Sequence, residues 1–281
     1  TLFRLGPNTF RWMCGDALAG EWLREQATAK GLNAQVRTMT DSLNNVAVQG
    51  PQSRDILTDI IWTPDDQPRL GELKYFRFLV GRIGGYMGIP VVVSRTGYTG
   101  ELGYEVFCQP KDAPAVWDAI WTAGAPRGLK PMGAHALELL RIEAALPAFG
   151  AEFGEEIDPF EAGCGFAVPL DKKPGDFLGK DALLKRVASP HRTLVGLRLD
   201  GREGARHGDG VYLGKTRIGI VTSACVSPSL GCGIAMARLQ AGQVVIDARV
   251  EIGTLDQHQK RLIATVAPLP FYDPGKHRPR S

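Results

Sequence analysis

The chain has 281 residues, of which 44% are apolar, and a formal charge of +3. That length exceeds one small core and suits two or three modest domains. The mild charge leaves no footprint for nucleic acid, and no apolar run approaches the ~18 residues of a membrane-spanning helix.

In chain order, residues 1–14 read as two strands about a Gly6-Pro7-Asn8 turn. Asp16 is the expected N-cap of a helix over residues 17–30, closed by Gly31, with Leu18, Trp22 and Ala29 on its apolar side. Strands follow near 33–38 and 43–49, then a Gly50-Pro51 turn into a helix, then a connector at 62–68. The pattern next predicts strands near 72–80, 89–94 and 103–108. Helices are expected over 111–123 and 134–146, the second stopped by Pro147. Residues 150–178, rich in Gly, Pro and acidic side chains, are expected to wrap over a surface.

After about residue 190 the pattern changes to short β segments with frequent glycines, which predicts a small barrel. The fold class is therefore α+β: mostly antiparallel sheets with packed helices, followed by a C-terminal β-barrel. The expected domains are 1–188 and 189–281. The basic ending at 276–280 is expected to fray into solvent.

Five cysteines, at 14, 108, 164, 225 and 232, form no C-x-x-C pair, and their number is odd. They read as reduced, core-filling thiols of a cytoplasmic protein, and Cys225 and Cys232 lack the partners of a zinc site. No metal centre is expected.

The stretch with most chemical content is SRTGYTGELGYEVF, residues 94–107. Beyond Gly100 it alternates: Glu101, Gly103, Glu105 and Phe107 face one way, and Leu102, Tyr104, Val106 and Cys108 face the core. Along an extended strand Glu101 and Glu105 stand about 13 Å apart, so at most one can grip a given ring edge. A carboxylate accepts two parallel N–H bonds, and a pteridine presents such a fork. The same pattern also describes a solvent-facing hairpin with charges for solubility.

This stretch resembles the tyrosine-threonine-glycine-glutamate motif of the aminomethyltransferase family, the glycine cleavage T-proteins. The likeness continues through VAVQGPQSRDIL, LRIEAA, PFEAGCGFAVPLDK, DFLGKDAL and VTSACVSPSLGCGIAMAR, in family order along nearly the whole chain. PLPFYDP near the end also resembles the folate domains fused to dimethylglycine and sarcosine dehydrogenases.

The resemblance implies a tetrahydrofolate-binding fold and transfer of a one-carbon, aminomethyl unit from a lipoyl carrier protein to folate. It implies Glu105 as the residue on the pteridine edge, with Gly103 as close-approach backbone and Tyr98 or Tyr104 as a wall. Tyr272 matches a C-terminal tyrosine that contacts folate. The family arginine four residues before Arg141 is here Leu137, which keeps open a related demethylase or methyltransferase acting on another methylated donor. Arg141 is expected to pair with Glu138, His135 to lie at a helix start, and Ser223, Ser227 and Pro228 to form turn structure.

A non-catalytic folate-binding protein is a further alternative. The Lys-Gly-Cys-Tyr-x-Gly-Gln-Glu motif of that group is absent, and DFLGKDALL stands in its place. The catalytic aspartate of the family is expected upstream of Thr1, since the acidic motif precedes the strand that residues 1–13 resemble. The nearest acids, Asp16 and Asp41, read as a helix cap and a turn residue. On that expectation residues 1–5 would leave an unpaired sheet edge.

Overall fold

The structure, a computed structural model, describes residues 1–15, 18–172, 175–253 and 261–281. Asp16, the expected helix cap, lies outside the described residues. The chain divides into two compact units. One comprises 1–97, 101–131 and 277–281, and the other 98–100 and 132–276.

In the first unit, β1 (Leu2–Gly6) and β2 (Thr9–Trp12) form a two-stranded antiparallel sheet. Helix α1 spans Ala19–Ala29, and Gly31, with φ +61°, turns the chain out of it. It buries Ala19 and Ala27 and leaves Leu18 and Trp22 exposed, the reverse of the expected face. Residues 33–38 form no strand. Their side chains are almost all exposed and none of them enters a described sheet, so nothing offsets the cost of ordering them.

The main sheet is five-stranded and antiparallel, in the order β3-β7-β6-β5-β4. Its strands are β3 (Asn44–Gln49), β4 (Ile61–Trp62), β5 (Phe78–Ile83), β6 (Ile89–Ser94) and β7 (Gly103–Cys108). The strand expected at 72–80 thus starts later, at Phe78, because residues 70–72 make a 3-10 turn and Phe76 takes a positive φ.

Val46, Val106, Val93 and Leu79 stand in register across four strands and face the core. There they meet Leu57 of α2 (Ser53–Ile60) and Val116 and Ile120 of α3 (Ala113–Gly124). Burial of such a face at ~25 cal/mol per Å² is what holds sheet and helices together. The opposite face carries Ala47, Glu105, Ser94 and Phe78 in one row. The hairpin β1–β2 covers part of it. Phe3 packs edge-on against Phe78 and Phe107, with ring centroids 5.7 and 5.8 Å away.

The end of the chain is not frayed. Arg278 donates to the Glu101 carboxylate at 3.2 Å, Arg95 donates to Pro279 O at 3.3 Å, and both Arg54 and Arg95 donate to Ser281 O. Buried Arg95 can hold this segment because its other terminal nitrogen is satisfied by Leu73 O at 3.0 Å.

In the second unit, α4 (Ala134–Glu143) and α5 (Lys180–Ala188) precede a closed antiparallel barrel in the order β10-β11-β8-β13-β12-β9. The barrel strands are β8 (Arg192–Leu199), β9 (Gly210–Leu213), β10 (Thr216–Val226), β11 (Gly233–Gln240), β12 (Arg249–Gly253) and β13 (Arg261–Ala267). On β11, Ala235, Ala237 and Leu239 join one apolar cluster with Leu197, Val221 and Ile252. Ile234 and Met236 join a second cluster with Ile142 of α4 and Phe271. Helix α4 stops at Glu143, earlier than expected, because Ala145 turns to φ +52° and Leu146 N bonds back to Arg141 O.

Candidate functional site

Glu105 projects from the middle of β7 on the face away from α2 and α3, and is half-buried. Its Oε1 accepts a hydrogen bond from Asn45 Nδ2 at 2.9 Å, and its Oε2 accepts one from Thr96 Oγ1. Thr96 Oγ1 in turn lies 2.6 Å from Ser94 Oγ, and Ser94 and Thr96 are both buried. The carboxylate plane is therefore fixed from both sides. A carboxylate has about four acceptor positions, so each oxygen retains capacity for a further donor. This arrangement can receive a two-pronged N–H fork without reorganising.

Glu101 is differently placed. Its two oxygens accept from Arg278 Nη1 at 3.2 Å each, so it serves the chain's own last turn.

The glycines of the motif have a specific steric cause. A Cβ at Gly97 or at Gly103 would stand 2.0 Å from Gln49 Oε1 in either case. The Gln49 amide fills both spaces and donates to Thr96 O at 3.3 Å and to Tyr104 O at 3.1 Å. Gly100 has φ +77°, and a Cβ there would lie 2.5 Å from Ala144 Cβ. Two of the three glycines thus admit one glutamine side chain, which pins the loop that carries Thr96 to the strand that carries Glu105.

Tyr104, considered as a wall, is fully buried on the helix side of the sheet, with its Oη accepting from Arg54 Nε at 3.3 Å. Tyr98 and Tyr272 belong to the second unit, whereas Glu105 and Gly103 belong to the first. Tyr98 Oη donates to Pro147 O at 2.6 Å. Burial raises the Tyr98 phenol above its ordinary pKa, Arg141 opposes this, and Glu152 and Glu138 add to it. Tyr272 N donates to Glu143 O at 3.0 Å, which ties the residue to the end of α4. His135 and Asp41 are both exposed, and Leu137 is half-buried.

Arg141 pairs with Glu138 as expected, but its main setting is a buried network. It donates to Glu152 at 2.9 Å and to Ser223 Oγ at 2.7 Å. Burial lowers its pKa, but the bond to Glu138 and the charges of Glu152, Glu138 and Tyr98 leave it raised overall. Glu143 accepts from Ser227 Oγ and from Ser229 Oγ, the latter at 2.9 Å. Ser223 and Ser227 are therefore more than turn residues, since their hydroxyls satisfy the charges that α4 buries.

Sequence reasoning missed Asn45, Thr96, Gln49 and Glu152. A signal existed for the first and third: pairing 44–49 against 103–108 places Gln49 opposite Gly103 and Asn45 one step from Glu105 on the same face. For Glu152 there was none, since residues 150–178 follow no period.

Family models match along most of the chain: GCVT N-terminal domain over residues 1–172, and Glycine cleavage T-protein C-terminal barrel domain over residues 192–273. The chain is 54% identical, over all 281 residues, to a protein of Ruegeria pomeroyi named Trimethylamine-oxide aldolase, and covers 36% of it. It is 37% identical over 257 residues to an Aminomethyltransferase of Bacillus mycoides, covering 91% of this chain and 66% of that one. An Aminomethyltransferase of Streptomyces avermitilis is 41% identical over 249 residues, covering 87% of this chain and 64% of that one.

The chain thus spans about a third of the Ruegeria relative and just under two thirds of the aminomethyltransferases. Among solved structures, the glycine cleavage system aminomethyltransferase T from Bartonella henselae matches with a TM-score of 0.60. At 20% identity over 83% of this chain and 84% of that one, this shows a shared fold. With both domain models matched in order over a helix-backed antiparallel sheet and a closed barrel, the chain belongs to the glycine cleavage T-protein (GCVT) family.

Proposed function

We propose that this chain binds tetrahydrofolate and serves the transfer of a one-carbon unit to it, with Glu105 as the anchor of the pteridine. The observation that supports this is the Glu105 carboxylate, held by Asn45 and Thr96 with acceptor capacity left on both oxygens. Tetrahydrofolate supplies the nitrogen that accepts the carbon. The chain's own part is to bind and orient: Glu105 takes the amino and ring N–H fork, and Asn45 and Thr96 keep that carboxylate from turning. Orientation of this kind can contribute ~7–11 kcal/mol to a bimolecular transfer.

Two donors fit the family. An aminomethyl group on a lipoyl carrier protein is the donor in T-protein chemistry. A methylated amine is the other, and the 54% identity along all 281 residues to a Trimethylamine-oxide aldolase favours it. Cleavage of trimethylamine oxide can release a methyl carbon only as formaldehyde, leaving dimethylamine, so the proposed substrate here is a one-carbon aldehyde from such a cleavage. A cytoplasmic setting, where folates reside, is part of the same proposal.

The test is a comparison of Glu105→Gln with Glu101→Gln. Loss of a charge-assisted bidentate contact should weaken tetrahydrofolate binding about 10- to 100-fold in the first. The second should bind as the unaltered chain does, because its contact is with Arg278. Equal small effects would remove Glu105 from the site. Carbon-13 formaldehyde and an aminomethylated lipoyl carrier, offered separately, then decide the donor by which one labels the folate.

A further inference from the structure

We infer that Arg11 is a second ligand contact on the Glu105 face of the five-stranded sheet, and that it holds a carboxylate of the folate's glutamate tail. The inference rests on the tetrahydrofolate reading above.

Of the residues of β1 and β2, Leu2, Arg4, Leu5, Thr9, Phe10 and Trp12 are exposed, whereas Phe3 is buried and Gly6 and Arg11 are half-buried. Phe3 and Arg11 are register partners, so their side chains leave the same side of the hairpin. Phe3 shows where that side looks, because its ring meets Phe78 and Phe107. Phe107 lies two residues from Glu105 on β7, about 7 Å along the strand, and Phe78 lies in the Glu105 row two strands across, about 10 Å away. Arg11 is thus directed at the part of the sheet face that Glu105 occupies.

Its Nη1 is buried and has no hydrogen-bond partner among the described residues. A buried guanidinium N–H left unsatisfied carries a substantial desolvation cost, so an acceptor is called for. Glu105 does not fill that role: its bonds are to Asn45 and Thr96, and among the described residues no hydrogen bond or ion pair joins it to Arg11 Nη1. The fork of a guanidinium matches a carboxylate. One face therefore offers an acceptor for a donor edge and, some ångströms away, a cation for an anion. A folate has those two ends: a pteridine that donates and a glutamate that is negative. A buried water at Nη1 is the competing explanation, and it predicts no dependence on the ligand's tail.

The experiment measures binding of two ligands, tetrahydrofolate and 6-methyltetrahydropterin, which keeps the ring and lacks the tail. Arg11→Met should weaken tetrahydrofolate about 10- to 100-fold and leave the tail-less pterin unchanged. Arg11→Lys should restore part of the loss, and melting curves should show both variants folded. Equal weakening of both ligands would mark a packing role and overturn the inference, as would no change in either.

Should Arg11→Met fail to fold, the unaltered chain still decides. A preference for the tailed ligand that salt abolishes supports the inference, and equal affinity for the two ligands refutes it while leaving the pteridine anchor intact. Binding of neither ligand, with Glu105→Gln no different, refutes the folate reading itself.

Discussion

Cys225 shows how far one side chain's chemistry is set by its position. Burial on β10 pushes its thiol from the ordinary 9.0 up to about 12, and the Glu143 carboxylate adds to the shift. The folded chain therefore keeps this proton when the unfolded chain has lost it. Below pH 9 the contribution is whole, and between 9 and about 12 it is lost as pH rises. The expected outcome is that the stability advantage of the unaltered chain over Cys225→Ala narrows in urea melts on going from about pH 8 to about pH 10.5. A constant difference would show that the thiol is not held neutral. Cys14, which is exposed, should meanwhile react first with a thiol reagent in the folded chain.

At the scale of elements, the Glu105 strand and the loop before it are held by Gln49. Gly103→Ala would drive the Gln49 amide out of its place and cost its bonds to Thr96 O and Tyr104 O, a loss of about 1–3 kcal/mol. In a Gln49→Ala background the same change meets open space and should cost far less. A double-mutant cycle by chemical denaturation reads the coupling directly; additive effects would mean that the glycine is there for some other reason.

This arrangement also marks what the sequence could disclose. An apolar run identified β6 and alternation β7, both with their bounds, and the alternation assigned Tyr104, Val106 and Cys108 to the core face. Family resemblance singled out Glu105. Nothing local said that a glutamine some 50 residues earlier was the reason for the glycines, because that is a fact of strand pairing across the sheet. The same limit hid Glu152, whose partner Arg141 stands on a helix while Glu152 itself sits in aperiodic chain. The strand misread at 33–38 failed for the complementary reason, since its composition suited β structure and no described strand is there to pair with it.

For the whole molecule, Ala188, Ser189 and Pro190 are exposed between α5 and β8 and make the expected site of first cleavage in limited proteolysis. The cut pieces should stay together on native size exclusion. Arg141 and Glu143 of α4 are bonded to Ser223, Ser227 and Ser229, and Ile142 packs with Ile234 and Met236. Separation of the pieces after the cut would show that these bonds hold little.

The division into units has a further consequence, at the level of the gene. The chain changes unit between residues 97 and 98, 100 and 101, 131 and 132, and 276 and 277. Three residues of the glycine–glutamate motif, Tyr98, Thr99 and Gly100, are counted with the second unit while the rest stay with the first. No single break in the coding sequence yields either unit whole. Excising residues 132–276 as one block would leave Tyr98, Thr99 and Gly100 behind, and a gene fragment coding for the first unit would have to be assembled from three separate stretches.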